Sequence, residues 1–170
     1  IASNIYLGTA LLDAASTTSV RWFLNTGTIW QNYRSSDGQD EYCPVNLYAA
    51  TKQAFIDLAK FYTETTNIKF CTLKLCDTFG PNDTRKKILS LFEDYAKSGE
   101  VLRMSSGYQK IDLLHIDDVV SGFVHLINVL NESVELKHEY VLSSCNQMTL
   151  RELADAYESK YNVKLNIEWG

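Results

Sequence analysis

The chain has 170 residues, 45% of them hydrophobic and 22% charged, which is the composition of one globular domain with a sizeable core. The formal net charge of −5 argues against a general binder of nucleic acids or anionic membranes. No apolar run has the length needed to cross a bilayer. The four cysteines lack Cys-x-x-Cys spacing, so we expect reduced cytosolic thiols and no metal site.

The first half of the chain contains long, strongly patterned segments. Apolar spacing and turn residues predict, in chain order, a helix over 4–16, a buried strand over 20–25, a polar loop over 31–46, a helix over 47–65 and a buried strand over 68–75. The segment 20–75 therefore predicts two parallel strands joined by a right-handed helical crossover.

The second half contains shorter elements. Its pattern predicts a turn over 80–83, a helix over 86–97, strands over 101–104 and 110–114, a helix over 117–130, and strands over 140–143 and 163–167. Thr149 and Glu152 have the spacing of a capping box, which opens a last helix. Because strands alternate with helices, we expect an α/β fold with a mainly parallel sheet, and the weak strands after residue 100 indicate a small appended lobe.

Tyr48 and Lys52 are the most informative pair of residues. A spacing of four places both on one face of a helix, where an ammonium lowers the pKa of a phenol and prepares it for acid–base work. By itself, the spacing also fits a helix with a solvated lysine. Thr26 ends the predicted strand 22 residues earlier, at the sheet edge where ligands sit, although a Thr there can simply cap the backbone.

Five segments carry a family resemblance when they are taken together. In chain order they are Asn4-Ile-x-Leu-Gly8-Thr9-x-Leu-Leu12, Asn25-Thr26-Gly27-Thr28-Ile29-Trp30, Tyr48-Ala-Ala-Thr-Lys52, Leu73-Lys-Leu-Cys-Asp77-Thr-Phe-Gly80-Pro81 and Asp112-Leu-Leu-His-Ile-Asp117-Asp118-Val119. The chain resembles the extended short-chain dehydrogenase/reductase family of nucleotide-sugar epimerases, dehydratases and reductases. The resemblance implies a Rossmann-type sheet, with residues 1–98 as the C-terminal half of an NAD(P)-binding domain and 99–170 as a mixed segment with substrate-lobe strands and helices.

The resemblance also implies roles for individual residues. Tyr48 matches the catalytic acid or base, and Thr26 matches the residue that orients the substrate oxygen. Lys52 matches the lysine that binds the nicotinamide ribose and lowers the pKa of the tyrosine. Asn4 matches a position at the cofactor, and Cys76 matches one whose backbone lies beside the nicotinamide.

The substrate side departs from the family pattern at two positions. Asp77 stands where an Asn usually contacts the nucleotide-sugar, and a carboxylate cannot donate a hydrogen bond as an amide does. Ile111 stands where many members have a phosphate-binding Arg. Lys110 could take its place as a point charge, but it lacks the forked guanidinium that binds a phosphate through two hydrogen bonds. With Thr26 and Thr28, Asp77 completes the set of residues that we assign to the substrate.

The subgroup follows from the residues after Thr26. Sugar dehydratases have Asp-Glu there, whereas this chain has Gly27 and Thr28, which argues against elimination of water. The segments around Thr26, Tyr48 and Asp77 are similar to the reductases of cytidine-diphosphate 3,6-dideoxyhexoses, and the abequose synthases are the nearest such group. We therefore expect nicotinamide-dependent reduction of a 4-keto nucleotide-deoxysugar for surface polysaccharide. A nucleotide-sugar 4-epimerase remains an alternative, as does a non-catalytic binding module of the same fold.

The glycines of this chain do not form the Gly-rich strand–turn–helix fingerprint that cradles a dinucleotide pyrophosphate. We expect that fingerprint, and the first strand–helix units, to precede Ile1, so these 170 residues alone would not turn over substrate. The cofactor expected is NAD or NADP. From the resemblance we also expect a cytoplasmic homodimer that pairs through helices 4–16 and 47–65.

Overall fold

The computed structural model describes residues 1–32, 41–132 and 137–170. The helices are α1 (Gly8–Ser16), α2 (Leu47–Thr65), α3 (Ile88–Ser98), α4 (Ile116–Glu132) and α5 (Leu150–Tyr161). The strands are β1 (Trp22–Thr28), β2 (Lys69–Leu75), β3 (Asp77–Phe79), β4 (Leu102–Met104), β5 (Lys110–Ile111), β6 (Leu113–His115), β7 (Glu139–Leu142), β8 (Met148–Thr149) and β9 (Ile167–Trp169). Ala2–Leu7 forms a π-helical segment ahead of α1, and Ile29–Gln31 forms a 3₁₀ turn after β1.

The chain divides into two compact units, each made of two stretches. The first unit contains Ile1–Cys76 and Val119–Leu142, and the second contains Asp77–Asp118 and Ser143–Gly170. The assignment of 1–98 to cofactor binding and of 99–170 to a substrate lobe stays a prediction, because compactness does not say what a segment binds.

The first unit is built on a parallel sheet of three strands in the order β1-β2-β7. β1 and β2 pair in parallel over their whole length, with Thr26 opposite Leu73. The predicted parallel crossover between these strands is confirmed, and α2 is its helix.

α2 has the predicted bounds because both its start and its buried face are encoded locally. Asn46 precedes it in extended conformation, and its side chain accepts a hydrogen bond from the backbone of Ala49, as a helix N-cap does. Phe55 is buried on the inner face, where its ring lies 5.8 Å from that of Phe70 and 6.0 Å from that of Phe23. This aromatic cluster fixes the helix against the sheet.

Neighbouring residues of β2 enter different cores, as the alternation of a strand requires. Phe70 packs with the α2 cluster, whereas Cys71 and Leu73 pack with Leu126 and Leu130 of α4. The sheet of the first unit is therefore covered by helices on both faces, and the predicted mainly parallel α/β architecture is confirmed.

The second unit contains three separate strand pairs rather than one sheet. β3 pairs with β6 and β4 with β9 in parallel, whereas β5 and β8 are antiparallel. Its core surrounds Phe92 of α3, which is fully buried against residues of α5 that include Leu150, Leu153 and Ala154. The predicted capping box is present at the start of α5, where Thr149 and Glu152 exchange hydrogen bonds.

Several predicted boundaries were wrong where pairing decides the structure. The final strand covers Ile167–Trp169 rather than 163–167, because it pairs with β4 and because Glu158 accepts a hydrogen bond from the backbone of Leu165. The first strand begins and ends later than 20–25. The predicted strand 110–114 is interrupted at Asp112, whose buried carboxylate accepts hydrogen bonds from another loop.

Other differences concern one helix start, two short strands and a loop. Only the second part of the predicted helix 4–16 is α-helical, since it begins as a π-helical segment. β3 and β8 were not predicted, because each has two or three residues and depends on its partner. Of the predicted loop over 31–46, residues 33–40 lie outside the described residues.

Two further features concern the backbone and the helices. Within the described ranges, every residue with positive φ lies in the second unit: Asn82, Gly99, Gly107, Cys145 and Asn162. No helix in those ranges is both long and apolar enough to cross a membrane.

Candidate active site

The candidate site is built on the first turns of α2. Tyr48 is the second residue of that helix, and 50% of its surface is exposed. Ala49 beside it is fully buried, so the backbone of this turn is packed while the phenol points away from the core. The helix thus presents Tyr48 from a fixed backbone.

Lys52 lies one turn later on the same face. Its Nζ is 5.9 Å from the centroid of the Tyr48 ring and donates a hydrogen bond to the backbone carbonyl of Thr26 at 2.9 Å. Burial lowers the pKa of Lys52, because removing an ammonium from water disfavours its charged form. A half-buried ammonium of this kind gains from each further oxygen that it can contact.

Thr26 lies within β1 rather than at its end, which corrects the prediction. The strand continues through Gly27 and Thr28, which are opposite Lys74 and Leu75 of β2. The Thr26 side chain is exposed, and its carbonyl is the acceptor for Lys52. Three of the predicted residues, Thr26, Tyr48 and Lys52, therefore lie together in the first unit.

Thr28 is engaged in the turn that follows β1. Its hydroxyl accepts a hydrogen bond from the backbone of Trp30 at 3.3 Å, and its own N–H donates to Gln31 Oε1 at 3.0 Å. Its predicted contact with the substrate stays a prediction.

Asn4 connects the π-helical segment to the helix that carries the site. Its amide donates to the hydroxyl of Thr51 at 2.9 Å, and that hydroxyl donates to the carbonyl of Tyr48 at 2.9 Å. The side chain predicted to lie at the cofactor thus supports the first turn of α2.

Cys76 and Asp77 follow the end of β2. Cys76 is buried, with 8% of its surface exposed. Asp77 begins the second unit, and its backbone N–H donates to the carbonyl of Asp112 at 3.1 Å. Burial raises the pKa of the Asp77 carboxyl, as does the charge of Asp112, while the ammonium of Lys87 lowers it.

A group of buried polar side chains between β1, β2 and the turn after β1 was not predicted. Asn25 donates to Thr72 at 3.2 Å, and the fully buried Gln31 donates to Gln53 of α2 at 2.8 Å. Lys74 of β2 is 4% exposed. The available signal was Lys74 itself, a charged residue between two leucines of a largely buried strand.

Known proteins resemble this chain in sequence over most of its length. The CDP-abequose synthase of Salmonella muenchen is 25% identical over 98% of this chain and 55% of that protein. The CDP-abequose synthase of Yersinia pseudotuberculosis is 27% identical over 75% of this chain and 44% of that protein. The chain spans about half the length of these curated relatives.

Solved structures resemble it in fold. The UDP-glucuronic acid 4-epimerase of Bacillus cereus in complex with NAD matches with a TM-score of 0.87 and 17% identity, over 98% of this chain and 54% of that chain. MoeE5 in complex with UDP-glucuronic acid and NAD matches with a TM-score of 0.78 and 19% identity, over 98% and 57%. These likenesses establish the Rossmann-type fold.

The family inferred from the sequence motifs is confirmed by the match of a family model to residues 1–142, most of the chain. The chain belongs to the NAD dependent epimerase/dehydratase family.

Proposed function

We propose that this protein is a nicotinamide-dependent reductase of a 4-keto nucleotide-deoxysugar, similar to CDP-abequose synthase, and that it serves surface polysaccharide biosynthesis. The observation that carries the proposal is the arrangement of Tyr48, Lys52 and Thr26, in which one ammonium bonds the strand and lies 5.9 Å from the phenol ring. Because the chain spans about half the length of its curated relatives, the proposal concerns the complete native protein.

In this proposal each residue of the set has one task. Tyr48 donates a proton to the ketone oxygen as that oxygen gains negative charge. The exposed Thr26 hydroxyl donates a hydrogen bond to the same oxygen, which orients it. Lys52 places an ammonium 5.9 Å from the centroid of the phenol ring, where a positive charge would stabilise the negative charge that develops during proton transfer.

Lys52 fits the ribose end of a nicotinamide cofactor. An ammonium has three N–H donors, and within the described residues Lys52 gives one of them to the protein, to the carbonyl of Thr26. The other two suit the paired hydroxyls of a ribose. Bound NAD or NADP would supply the hydride for the sugar carbon. The solved relatives in complex with NAD support NAD, and Asn4 and Cys76 are proposed to lie at this cofactor.

The substrate proposed is a nucleotide-sugar, held by Thr26, Thr28 and Asp77. As a carboxylate, Asp77 would accept hydrogen bonds from the hydroxyls of the nucleotide-sugar, in place of the hydrogen bond that an asparagine amide donates at this position in the family.

A 4-epimerase is the second candidate. It is supported by the fold likeness to the UDP-glucuronic acid 4-epimerase of Bacillus cereus, and it would use the same Thr26, Tyr48 and Lys52. The two activities differ in their use of reductant, since an epimerase returns the hydride that it removes. A binding module is a weaker candidate, because it has no need of this set of residues.

A homodimer in the cytoplasm is proposed as the working form. Large apolar side chains are exposed on the helices expected to pair, including Leu11 of α1 at 53% and Phe61 of α2 at 62%. Burying such surface against a second copy would be favourable. Sedimentation of the native protein and of Phe61→Lys would test this, since a dimer formed through α2 would dissociate in the variant.

The test of the proposed chemistry is Tyr48→Phe in the complete native protein. We expect turnover of a CDP-4-keto-deoxysugar to fall about 10²- to 10⁴-fold, because the general acid is lost. Cofactor binding, followed by nicotinamide fluorescence, should change little. The matched control is Tyr161→Phe, an exposed tyrosine of α5, which should retain turnover.

The product balance separates the two candidate activities. A reductase oxidises one nicotinamide for each sugar that it converts, whereas an epimerase converts sugar without consuming added reductant. Retained turnover in Tyr48→Phe would remove Tyr48 from the acid role. Conversion without consumption of reductant would replace the reductase proposal by the epimerase.

A further inference from the structure

Lys74 is a buried cation in the middle strand of the first unit, and the chemistry proposed above makes no use of it. Its side chain is 5% exposed, and β2 has a strand on either side. Taking an ammonium out of water is costly unless it is paired and hydrogen-bonded. The partners of Lys74 therefore show what the charge holds in place.

The ammonium of Lys74 contacts two other elements. It donates to Glu139 Oε1 of β7 at 2.5 Å and to Asn32 Oδ1 at 2.8 Å. Glu139 keeps 39% of its side chain in solvent, whereas Asn32 follows the turn after β1. The carboxylate neutralises the charge, and the amide links it to the connection between β1 and α2.

Asn32 also contacts the other end of the connection between β1 and α2. Its amide N–H donates to the carbonyl of Glu41 at 3.0 Å, so one side chain binds both Lys74 and the segment that leads into α2. Two backbone bonds run beside it, from Cys43 N–H to the Gln31 carbonyl at 2.8 Å and from Val45 N–H to the Trp30 carbonyl at 3.2 Å.

The residues that follow these bonds set the start of α2. Asn46 caps the helix directly after Val45, and Tyr48 comes two residues later. The neighbouring glycine also belongs to the arrangement, because a Cβ on Gly27 would come within 2.9 Å of Lys74 Cγ. The stem of Lys74 therefore packs against Gly27 of β1, the residue that follows Thr26.

We propose that Lys74 is a positioning residue: through Asn32 it holds together the two ends of the connection between β1 and α2, and so fixes the helix start that carries Tyr48. In this role Lys74 acts through its protein partners Asn32 and Glu139. The effect on Tyr48 rests on the proposed function, whereas the effect on the connection stands independently of it. Residues 30–32, 41–46 and Lys74 form what we call the connection clamp.

The test measures the connection clamp and the chemistry separately, in the complete native protein. Hydrogen exchange of peptides covering 41–50 should become about tenfold faster in Lys74→Met, because a charged hydrogen bond to Asn32 is lost. Peptides around Phe92 should exchange as in the native protein. Turnover should fall about tenfold in kcat, with a smaller change in KM, as expected for a misplaced acid.

Three further variants test whether the effect comes from the contact with Asn32 and from the charge of Lys74. Asn32→Asp keeps an oxygen for Lys74 but removes the N–H given to Glu41, and it should reproduce the faster exchange. Lys74→Arg should keep the slow exchange of the native protein and most of its kcat, because the substitution keeps the positive charge. Lys69→Met is the matched control on the same strand, since its ammonium is exposed and lies 5.1 Å from the Trp22 ring, and it should change neither measurement.

Each outcome decides one part of the proposal. Unchanged exchange over 41–50 in Lys74→Met and Asn32→Asp would overturn the clamp, and Asn32→Asp decides alone if Lys74→Met does not fold. Faster exchange with unchanged kcat would overturn the link to Tyr48. A native protein without keto-sugar reduction would refute the proposed function, while exchange would still decide the clamp.

Discussion

The two compact units bury charge in opposite ways. Of the charged residues that the structure describes, Lys74 and Asp112 are the buried ones, at 4% and 3% exposure, and they lie in different units. Lys74 is held by groups from distant parts of the chain, Asn32 and Glu139. Asp112 accepts hydrogen bonds from the adjacent residues Ser143 and Ser144.

The partners of each buried charge determine which parts of the structure that charge can organise. A buried cation with partners on two other elements couples those elements. Its loss should therefore also change segments that are distant from it along the chain. The buried anion Asp112 gathers the hydroxyls and the N–H of two consecutive residues, so its loss should act most strongly on that one loop. The proposed chemistry lies in the unit with the coupled arrangement, and the departures from the family pattern, Asp77 and Ile111, lie in the other.

The largest expected contrast is between Cys71 in the first unit and Cys145 in the second. Cys71 is fully buried, and burial together with the charge of Glu139 raises the pKa of its thiol to about 11. Cys145 is exposed. We expect iodoacetamide to label Cys145 at least about 1000-fold faster, because Cys71 needs both opening of the sheet and loss of its proton. Mass spectrometry of labelled peptides measures the ratio, and similar rates would contradict a closed first unit.

Asp112→Ala should give the largest loss of stability among the substitutions. It leaves the hydroxyls of Ser143 and Ser144 and the N–H of Ser144 without their acceptor, and we expect the free energy of unfolding to fall by about 3 kcal/mol. Urea denaturation measures it. Asp94→Ala, on the exposed face of α3, should stay within about 0.5 kcal/mol of the native value. Equal losses would show that Asp112 does not organise its turn.

Substituting one glycine in each unit compares the cost in stability of lost packing space in the first unit with that of a strained backbone in the second. A Cβ on Gly27 would lie 2.7 Å from Thr72 Cγ2 and 3.0 Å from Gln31 Oε1, so Gly27→Ala should cost about 2 kcal/mol. Gly99 has open space but a φ of 71°, and Gly99→Ala should cost about 1 kcal/mol. Hydrogen exchange should place the first effect around β1 and the second at the end of α3. A reversal of that order would contradict the close contacts expected for a Cβ on Gly27.

The smallest expected effect is a change in pH dependence at Asp77. Its raised native pKa means that the folded state binds its proton more tightly, so stability falls as pH rises past the pKa of the unfolded carboxyl. Asp77→Asn, which does not titrate, should therefore gain stability relative to the native protein at neutral pH. That gain should disappear below a pH of about 4. Thermal unfolding across pH measures it, and a gain that grows in acid would contradict the sign.

The sequence predicted best where local pattern and tertiary structure agree. α2 has its predicted bounds because Asn46 supplies a cap and the apolar spacing holds from Ala49 to Ala59. Tyr48 and Lys52 could be paired for the same reason, since helical spacing alone puts them on one face. Thr26 could be placed near them once β1 and β2 were read as a parallel crossover.

The sequence failed where a distant partner decides. The alternating residues Val163, Leu165 and Ile167 fit a strand, yet β4 pairs with the segment that begins at Ile167. The role of Lys74 could not be read either, because a lysine in a strand normally indicates an exposed face. Its burial depends on Asn32 and Glu139, which are 42 and 65 residues away along the chain.

The left-handed residues have a consequence for how this protein can be altered. Asn82, Cys145 and Asn162 occupy conformations that glycine adopts without steric cost, and all three belong to the second unit. Glycine substitutions there relieve strain, although they add freedom to the unfolded chain. The second unit therefore offers three positions where a backbone change could raise stability, whereas in the described part of the first unit such a gain has to come from side-chain packing.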